Sequence, residues 1–162
     1  MTADPATTGS PPRPGPRTRE ERTADTLAKL RAPAADVWVA SAGEGEPYLV
    51  PLSLAWIDDR VVVALELGSR TARNIVATGT ARLALGPTRD VVMIDAELAE
   101  AVPLDTAPAG LADRYAAQAD WDPRAAAGEY GYLLLRPVRI QAWREADEIA
   151  GRTLMRDGAW LA

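Results

Sequence analysis

The 162-residue sequence contains no cysteine, no histidine and no phenylalanine, and Lys29 is its only lysine. Without thiols or imidazoles, the protein cannot use cysteine nucleophiles, histidine bases or zinc sites built from these ligands. No apolar run approaches the roughly 20 residues that a membrane-spanning helix needs, so we expect no membrane partner. Residues 1–16 also lack the apolar segment of a secretory signal, and a cytoplasmic location is therefore expected.

Positive charge comes almost entirely from arginine, and negative charge exceeds it. The sequence has 18 basic and 23 acidic residues, which gives a net charge of -5. This surplus of acidic groups repels nucleic acid, so we expect a small-molecule substrate and no nucleic-acid partner. Any anion that binds must be held by a local group of arginines.

Proline content separates the start of the chain from the rest. Five prolines fall within residues 1–16, and proline at this density prevents regular secondary structure. We predict a disordered tail over residues 1–16 and one domain over residues 17–162. Thr18 and Glu21 fit a capping box, which predicts a first helix that ends before Pro33.

The remainder of the domain alternates between short apolar runs and turn residues. Strands are predicted over residues 36–42, 48–57, 60–67, 81–85, 90–102, 130–143, 151–156 and 159–161. Short helices are predicted over residues 69–78 and in the second half of 103–118. Antiparallel strands interrupted by short helices favour a mainly β (α+β) fold, a small antiparallel barrel with flanking helices, over a doubly wound parallel sheet.

The most informative motif is Gly-Ser-Arg-Thr-Ala-Arg-Asn at residues 68–74, between a predicted strand and a predicted helix. Ser69 is suited to cap the helix. The N-terminus of a helix leaves N–H groups unpaired and favours negative charge, so it is a typical phosphate site. Arg70 and Arg73 share one face of the helix. An ordinary capped helix with solvated arginines has the same sequence, so the motif alone leaves both interpretations open.

With these elements in order, residues 36–161 resemble the pyridoxamine phosphate oxidase-like flavin-binding split-barrel family. Residues 68–74 are similar to the family segment that holds the FMN phosphate. Residues 47–53, Pro-Tyr-Leu-Val-Pro-Leu-Ser, resemble the strand beside the isoalloxazine ring, and residues 89–91, Arg-Asp-Val, stand at the position of an Arg-Gln-Val triplet. Trp143 matches a family tryptophan that lies near the flavin across a dimer interface.

The resemblance implies a split antiparallel β-barrel, a homodimer, an FMN cofactor and an oxidoreductase whose substrate is unknown. It assigns no catalytic residue and no metal. The residues that it implies for cofactor binding are Val50, Pro51, Leu52, Ser53, Ser69, Arg70, Thr71, Arg73, Asn74, Asp90 and Trp143.

Several positions depart from the family pattern. Thr71 replaces a phosphate-binding lysine, Val50 replaces a phosphate-binding arginine, and Glu66 would oppose a phosphate if it pointed inward. Residues 148–150, Glu-Ile-Ala, replace the Arg-x-His substrate clamp, so we do not expect a true pyridoxamine phosphate oxidase. Two alternatives stay open, namely a reductase that uses a deazaflavin coenzyme and a non-enzymatic dimer that binds flavin or haem.

The sequence has five tryptophans, at positions 38, 56, 121, 143 and 160. In a chain without phenylalanine, large aromatic side chains are expected to fill the core. We therefore predict core positions for all of them except Trp143, which has a cofactor role by resemblance. Asp95 and Glu97 are predicted to lie on the solvated face of their strand.

Overall fold

The computed structural model describes residues 15–162, so the predicted tail lies outside the described residues except for its last two positions. The elements are α1 (Arg19–Arg31), β1 (Asp36–Ser41), β2 (Tyr48–Ile57), β3 (Arg60–Glu66), α2 (Arg70–Thr78), β4 (Thr80–Leu85), β5 (Val91–Pro103), α3 (Ala109–Ala119), β6 (Tyr130–Trp143), β7 (Thr153–Arg156) and β8 (Ala159–Trp160). None of the described helices is long and apolar enough to cross a membrane.

All strand pairs are antiparallel, and the strands lie in the order β3-β2-β1-β4-β5-β6-β7-β8. An additional pairing between β3 and β6 closes the first six strands into a barrel, and β7 and β8 extend the sheet beyond β6. The predicted mainly β fold, a split antiparallel barrel with short flanking helices, is confirmed.

Strand β2 changes partner half-way along its length. Its first half, Tyr48 to Ser53, pairs with β1, whereas Leu54 to Ile57 pair with β3. The first half of β2 and the second half of β3 therefore diverge, and this divergence is the split of the barrel. Helix α2 follows β3 and packs against β1 and β2, where it buries Ala72 and Ile75 in the barrel interior.

A second core lies outside the barrel, beneath α3. Val62 and Ala64 point outward from β3 and pack against the α3 side chains Ala112, Tyr115 and Ala119. Both faces of β3 are thus covered, which explains why its apolar run is continuous rather than alternating. On the opposite side of the barrel, no helix within residues 15–162 covers the outward face.

Tyr115 joins β2 to β3 at the point where the two strands diverge. Its buried hydroxyl donates a hydrogen bond to the carbonyl of Ser53 (3.0 Å) and accepts one from the N–H of Ala64 (3.3 Å). Burial raises the pKa of Tyr115 to about 12, so the phenol keeps the proton that it donates. On the side where β2 and β3 diverge, the two strands no longer bond to each other, and the Tyr115 hydroxyl takes the place of the missing strand partner for both backbone groups.

We expect Tyr115→Phe to lower the free energy of unfolding by about 1–3 kcal/mol, because it leaves two buried backbone groups without a partner. Tyr132→Phe is the matched control. Tyr132 lies beside Tyr115 with a ring separation of 5.2 Å, and its buried hydroxyl has no partner among the described residues. Its removal should therefore be neutral or stabilising. Urea unfolding of both variants measures the difference, and equal losses would contradict the assigned bridge.

A cluster of charged side chains ties the N-terminal segment to the end of the barrel opposite the split. Arg17 is its centre: the guanidinium lies 2.7 Å from Asp25, 2.8 Å from Glu148 and 3.1 Å from Asp90. Lys29 lies 2.9 Å from the Asp90 carboxylate. The Arg17–Glu148 pair is the buried part of the cluster, with side chains 8% and 3% exposed, whereas Asp25 is 43% exposed. Hydrogen bonds from Arg17 lower the pKa of Glu148 to about 2.

Candidate functional site

The predicted phosphate segment forms the N-terminus of α2. Ser69 is the N-cap, and its hydroxyl accepts a hydrogen bond from the N–H of Ala72 at 3.2 Å. The side-chain amide of Asn74 donates to the hydroxyl of Ser41 at 3.2 Å, which fixes the helix to the end of β1. The helix end is therefore held rigidly, with its first N–H groups directed away from the helix.

Arg70 and Arg73 both place their guanidinium groups near this helix end. Arg70 donates to the carbonyl of Glu46 at 3.1 Å and lies 4.7 Å above the ring of Tyr48. Arg73 donates to the carbonyl of Gly68 at 2.7 Å. Among residues 15–162, neither guanidinium has a carboxylate within ion-pairing distance. Two positive charges without ion-pair partners and a helix N-terminus make this position favourable for an anion.

Two departures from the family pattern can be placed in the structure. Glu66 lies on the outward face of β3, and its carboxylate oxygen is 3.0 Å from the position that a Cβ on Gly128 would occupy. It does not point into the barrel. Thr71 is buried, so the positive charge that the missing lysine would supply comes from the arginines alone.

Strand β2 presents the four predicted ring-contacting residues on two different faces. Val50 and Leu52 point inward and pack against the interior core, so only their backbone atoms can contact a ligand outside the barrel. Pro51 and Ser53 point outward, and the hydroxyl of Ser53 donates to Asp36 at 3.1 Å. Because β3 has diverged, this half of β2 has one edge without a strand partner.

Asp90 and Trp143 lie at the other end of the barrel. Trp143 is the last residue of β6 and pairs with Val91, and its ring lies under the guanidinium of Arg152 at 5.3 Å. Burial raises the pKa of Asp90, but its hydrogen bond with Lys29 and the charges of Lys29, Arg17 and Arg144 outweigh that effect and lower it. One chain therefore does not bring Asp90 and Trp143 to the α2 N-terminus.

The structure corrects the prediction for Trp38, which we expected in the core. Its side chain is 50% exposed on the outward face of β1. Val37 and Val39 take the inward positions, so alternation along the strand places Trp38 outside. Leu49 lies on the same outward face and is 57% exposed. Strict alternation was the available signal in the sequence, and the preference of tryptophan for cores obscured it.

A cleft of about 500 Å³ adjoins this face. It lies between the β1–β2 loop, the C-terminal end of α2 at Thr78, and strands β4 and β5. Its polar lining includes Ser41, Thr78, Thr80, Arg82, Asp95 and Glu97. Asp95 pairs with Arg82 at 2.6 Å and Glu97 pairs with Arg136, so both carboxylates lie on the polar face, as predicted.

Comparison with known proteins rests on structure, because no family model and no curated protein sequence matches this chain. A structure named F420 reductase aligns with a TM-score of 0.58 at 16% identity, over 70% of this chain and 93% of that one. A putative pyridoxamine 5'-phosphate oxidase from Listeria innocua gives 0.57 at 10% identity, over 75% and 98%. A haem-binding protein from Mycobacterium smegmatis gives 0.59 at 18% identity, over 88% and 59%. This chain has their split-barrel fold.

The split-barrel resemblance inferred from the sequence is thus confirmed at the level of the fold. The names of these three split-barrel proteins refer to different ligands, so the fold by itself does not select a cofactor. That choice depends on the side chains at the α2 N-terminus and on the outward face.

Proposed function

We propose that this protein is an FMN-binding oxidoreductase of the pyridoxamine phosphate oxidase-like type, acting on a small molecule other than pyridoxamine phosphate. One observation carries the proposal. Within a split barrel, Arg70 and Arg73 lie at the capped N-terminus of α2 with no carboxylate partner among the described residues. A bound phosphate supplies the missing negative charge.

The residues present fit FMN, whose flavin ring supplies the electron-transfer chemistry when it is bound. Ser69, Arg70, Arg73 and Asn74 would hold the phosphate at the start of α2. The unpaired edge of β2 around Pro51 offers backbone groups to the ring. The role of the chain is to bind, orient and shield the ring from water, and hydride transfer itself requires no acid or base from the protein.

A second copy of the chain would complete this site. Trp143 and the α2 N-terminus lie at opposite ends of one barrel, and a two-fold arrangement can place the partner's end beside the α2 end. The outward face, where Trp38 and Leu49 are exposed and no helix of the described residues lies over them, offers apolar area for such a contact. A symmetric dimer would hold two equivalent sites.

We therefore predict a dimer at micromolar concentration, measured as a light-scattering mass of two chains. The apolar outward face forms the subunit contact in this dimer. A charge placed there by Leu49→Glu should therefore shift the mass towards one chain. A wild-type mass of one chain would contradict the dimer.

We also predict no turnover of pyridoxamine phosphate or pyridoxine phosphate. At the position of the basic clamp, Glu148 is buried against Arg17, and Ile149 is exposed and apolar. Neither side chain offers a positive charge to a substrate phosphate. The check is an assay of pyridoxal phosphate formation with FMN present and an authentic oxidase measured alongside, and formation at comparable rates would refute this prediction.

A reductase that uses a deazaflavin coenzyme is the second candidate. Thr71 in place of the lysine favours it, as does the likeness to the structure named F420 reductase. The visible spectrum of the purified protein and the mass of its released ligand test both candidates. A flavin spectrum supports the first, a deazaflavin spectrum the second, and a haem spectrum would support the non-enzymatic alternative.

A further inference from the structure

Trp38 lies in the middle of a sheet face with its ring uncovered. Directly opposite it are Pro51 on β2 and Ala84 on β4. Pro51 has no N–H, so the Trp38–Pro51 pair takes a position without ladder hydrogen bonds, where facing side chains approach most closely. Both neighbours are too small to cover an indole. Among residues 15–162, no aromatic or cationic side chain stacks on this ring.

The surface next to Trp38 changes from apolar to polar over a short distance. Ala40, two residues further along the same strand, lines the cleft of about 500 Å³. Ser41 in that cleft is hydrogen-bonded to Asn74 of α2. A flat apolar surface therefore adjoins a polar cleft, and Ser41 in that cleft is linked through Asn74 to the helix that carries the predicted anion site.

The anion site and Trp38 both border the first half of β2. Tyr48, which carries Arg70 over its ring, and Pro51, which faces Trp38, are three residues apart, or about 10 Å along a strand, and an odd spacing directs their side chains to opposite faces of β2. A ribityl phosphate tail has a comparable length. It can leave the anion site, cross the unpaired edge of β2 and place its ring on the outward face.

We propose that Trp38 binds the isoalloxazine ring by stacking against its face. This inference rests on the proposed function, because it assumes that the anion bound at Arg70 is the phosphate of a flavin. An indole is well suited to the role, since it offers a large, rigid π surface at little cost in side-chain entropy. Trp38 would thus select for a planar ring, whereas the arginines select for the phosphate.

The experiment titrates FMN and riboflavin into wild type, Trp38→Ala, Trp38→Phe, Leu49→Ala and Arg70→Ala, with flavin fluorescence as the signal. We expect Trp38→Ala to weaken both ligands about 10-fold, a loss typical of an aromatic stacking contact. Trp38→Phe keeps an aromatic face and should lose less. Leu49→Ala removes a neighbouring apolar side chain of the proposed subunit contact without removing a ring. It therefore measures how far a weakened dimer alone lowers binding, and its loss should be smaller than that of Trp38→Ala. Arg70→Ala should weaken FMN but not riboflavin.

Each other outcome overturns the inference in an identifiable way. If wild type binds FMN and Trp38→Ala binds it with the same dissociation constant, Trp38 is not part of the site, while the proposed function still stands. No flavin binding by wild type overturns both. Equal losses in Trp38→Ala and Leu49→Ala, accompanied by a one-chain mass in light scattering, assign Trp38 to subunit contact instead. If Trp38→Ala does not fold, the test is the quenching of tryptophan emission by FMN. Under the proposal, Trp38→Phe shows measurably less of this quenching than wild type, and equal quenching in the two proteins overturns it.

Discussion

Arg70→Ala should weaken FMN binding roughly 10- to 100-fold, because it removes a charge-assisted contact to phosphate of about 1.5–3 kcal/mol. Folding should barely change. The guanidinium is exposed, makes one hydrogen bond to the carbonyl of Glu46 and has no carboxylate partner in the described chain. Its removal also relieves repulsion with Arg73 in the unliganded protein. Flavin fluorescence quenching gives the dissociation constants, and thermal unfolding gives the stabilities.

Arg156→Ala is a suitable control for this measurement. Arg156 is an exposed arginine at the end of β7, so its removal changes the net charge equally without touching the α2 N-terminus. If a general electrostatic attraction held the phosphate, both variants would lose affinity alike. Equal constants for wild type and Arg70→Ala would mean that the arginines of α2 form an ordinary solvated face.

Glu148→Gln should lower the free energy of unfolding by about 3–5 kcal/mol at pH 7, the cost of breaking a buried ion pair on one side. Glu148 accepts hydrogen bonds from Arg17 Nε (3.0 Å), Arg17 Nη2 (2.8 Å) and the backbone N–H of Arg144 (2.8 Å). Glutamine keeps the shape but leaves the Arg17 charge undercompensated. Denaturant unfolding measures the loss. Glu145→Gln is the control, since its 3.9 Å contact with Arg89 is exposed and should contribute little.

The same pair predicts an acid dependence with a definite sign. The folded-state pKa of Glu148 is about 2, against an ordinary value of 4.5. Its contribution, about 3 kcal/mol, is therefore complete above pH 4.5 and is lost as the pH falls towards 2. Wild type should lose more stability over this window than Glu148→Gln. Parallel stability curves for the two proteins between pH 5 and pH 2.5 would contradict the assignment.

Local patterns in the sequence predicted most of the elements. Strands β2 and β6 have the predicted bounds, Tyr48–Ile57 and Tyr130–Trp143, because turn residues delimit them sharply. The capping box at Thr18 and the left-handed Gly79 that ends α2 are also confirmed. In each case a few adjacent residues determine the conformation.

Features that depend on distant residues could not be predicted in this way. Alternation along β1 separates Trp38 from the inward Val37 and Val39, but which outer face of the barrel stays open depends on the position of α3, which no pattern in β1 indicates. Arg17 and Glu148 are 131 residues apart, and no local pattern links them. The same holds for Asp90, whose resemblance to a flavin-contacting position gave no indication of its ion pairs with Arg17 and Lys29.

Closure of the barrel has a consequence for synthesis of the chain. Val61 to Glu66 pair with residues 130–135, so β3 must wait for a partner made some 70 residues later. Pairing across such separations is slow and costs loop entropy. On the ribosome, the hairpins β1–β2, β2–β3 and β4–β5 emerge first, while the apolar edge of β3 stays open. A nascent chain stalled before Tyr130 should therefore present an aggregation-prone strand edge, the kind of surface that chaperones bind.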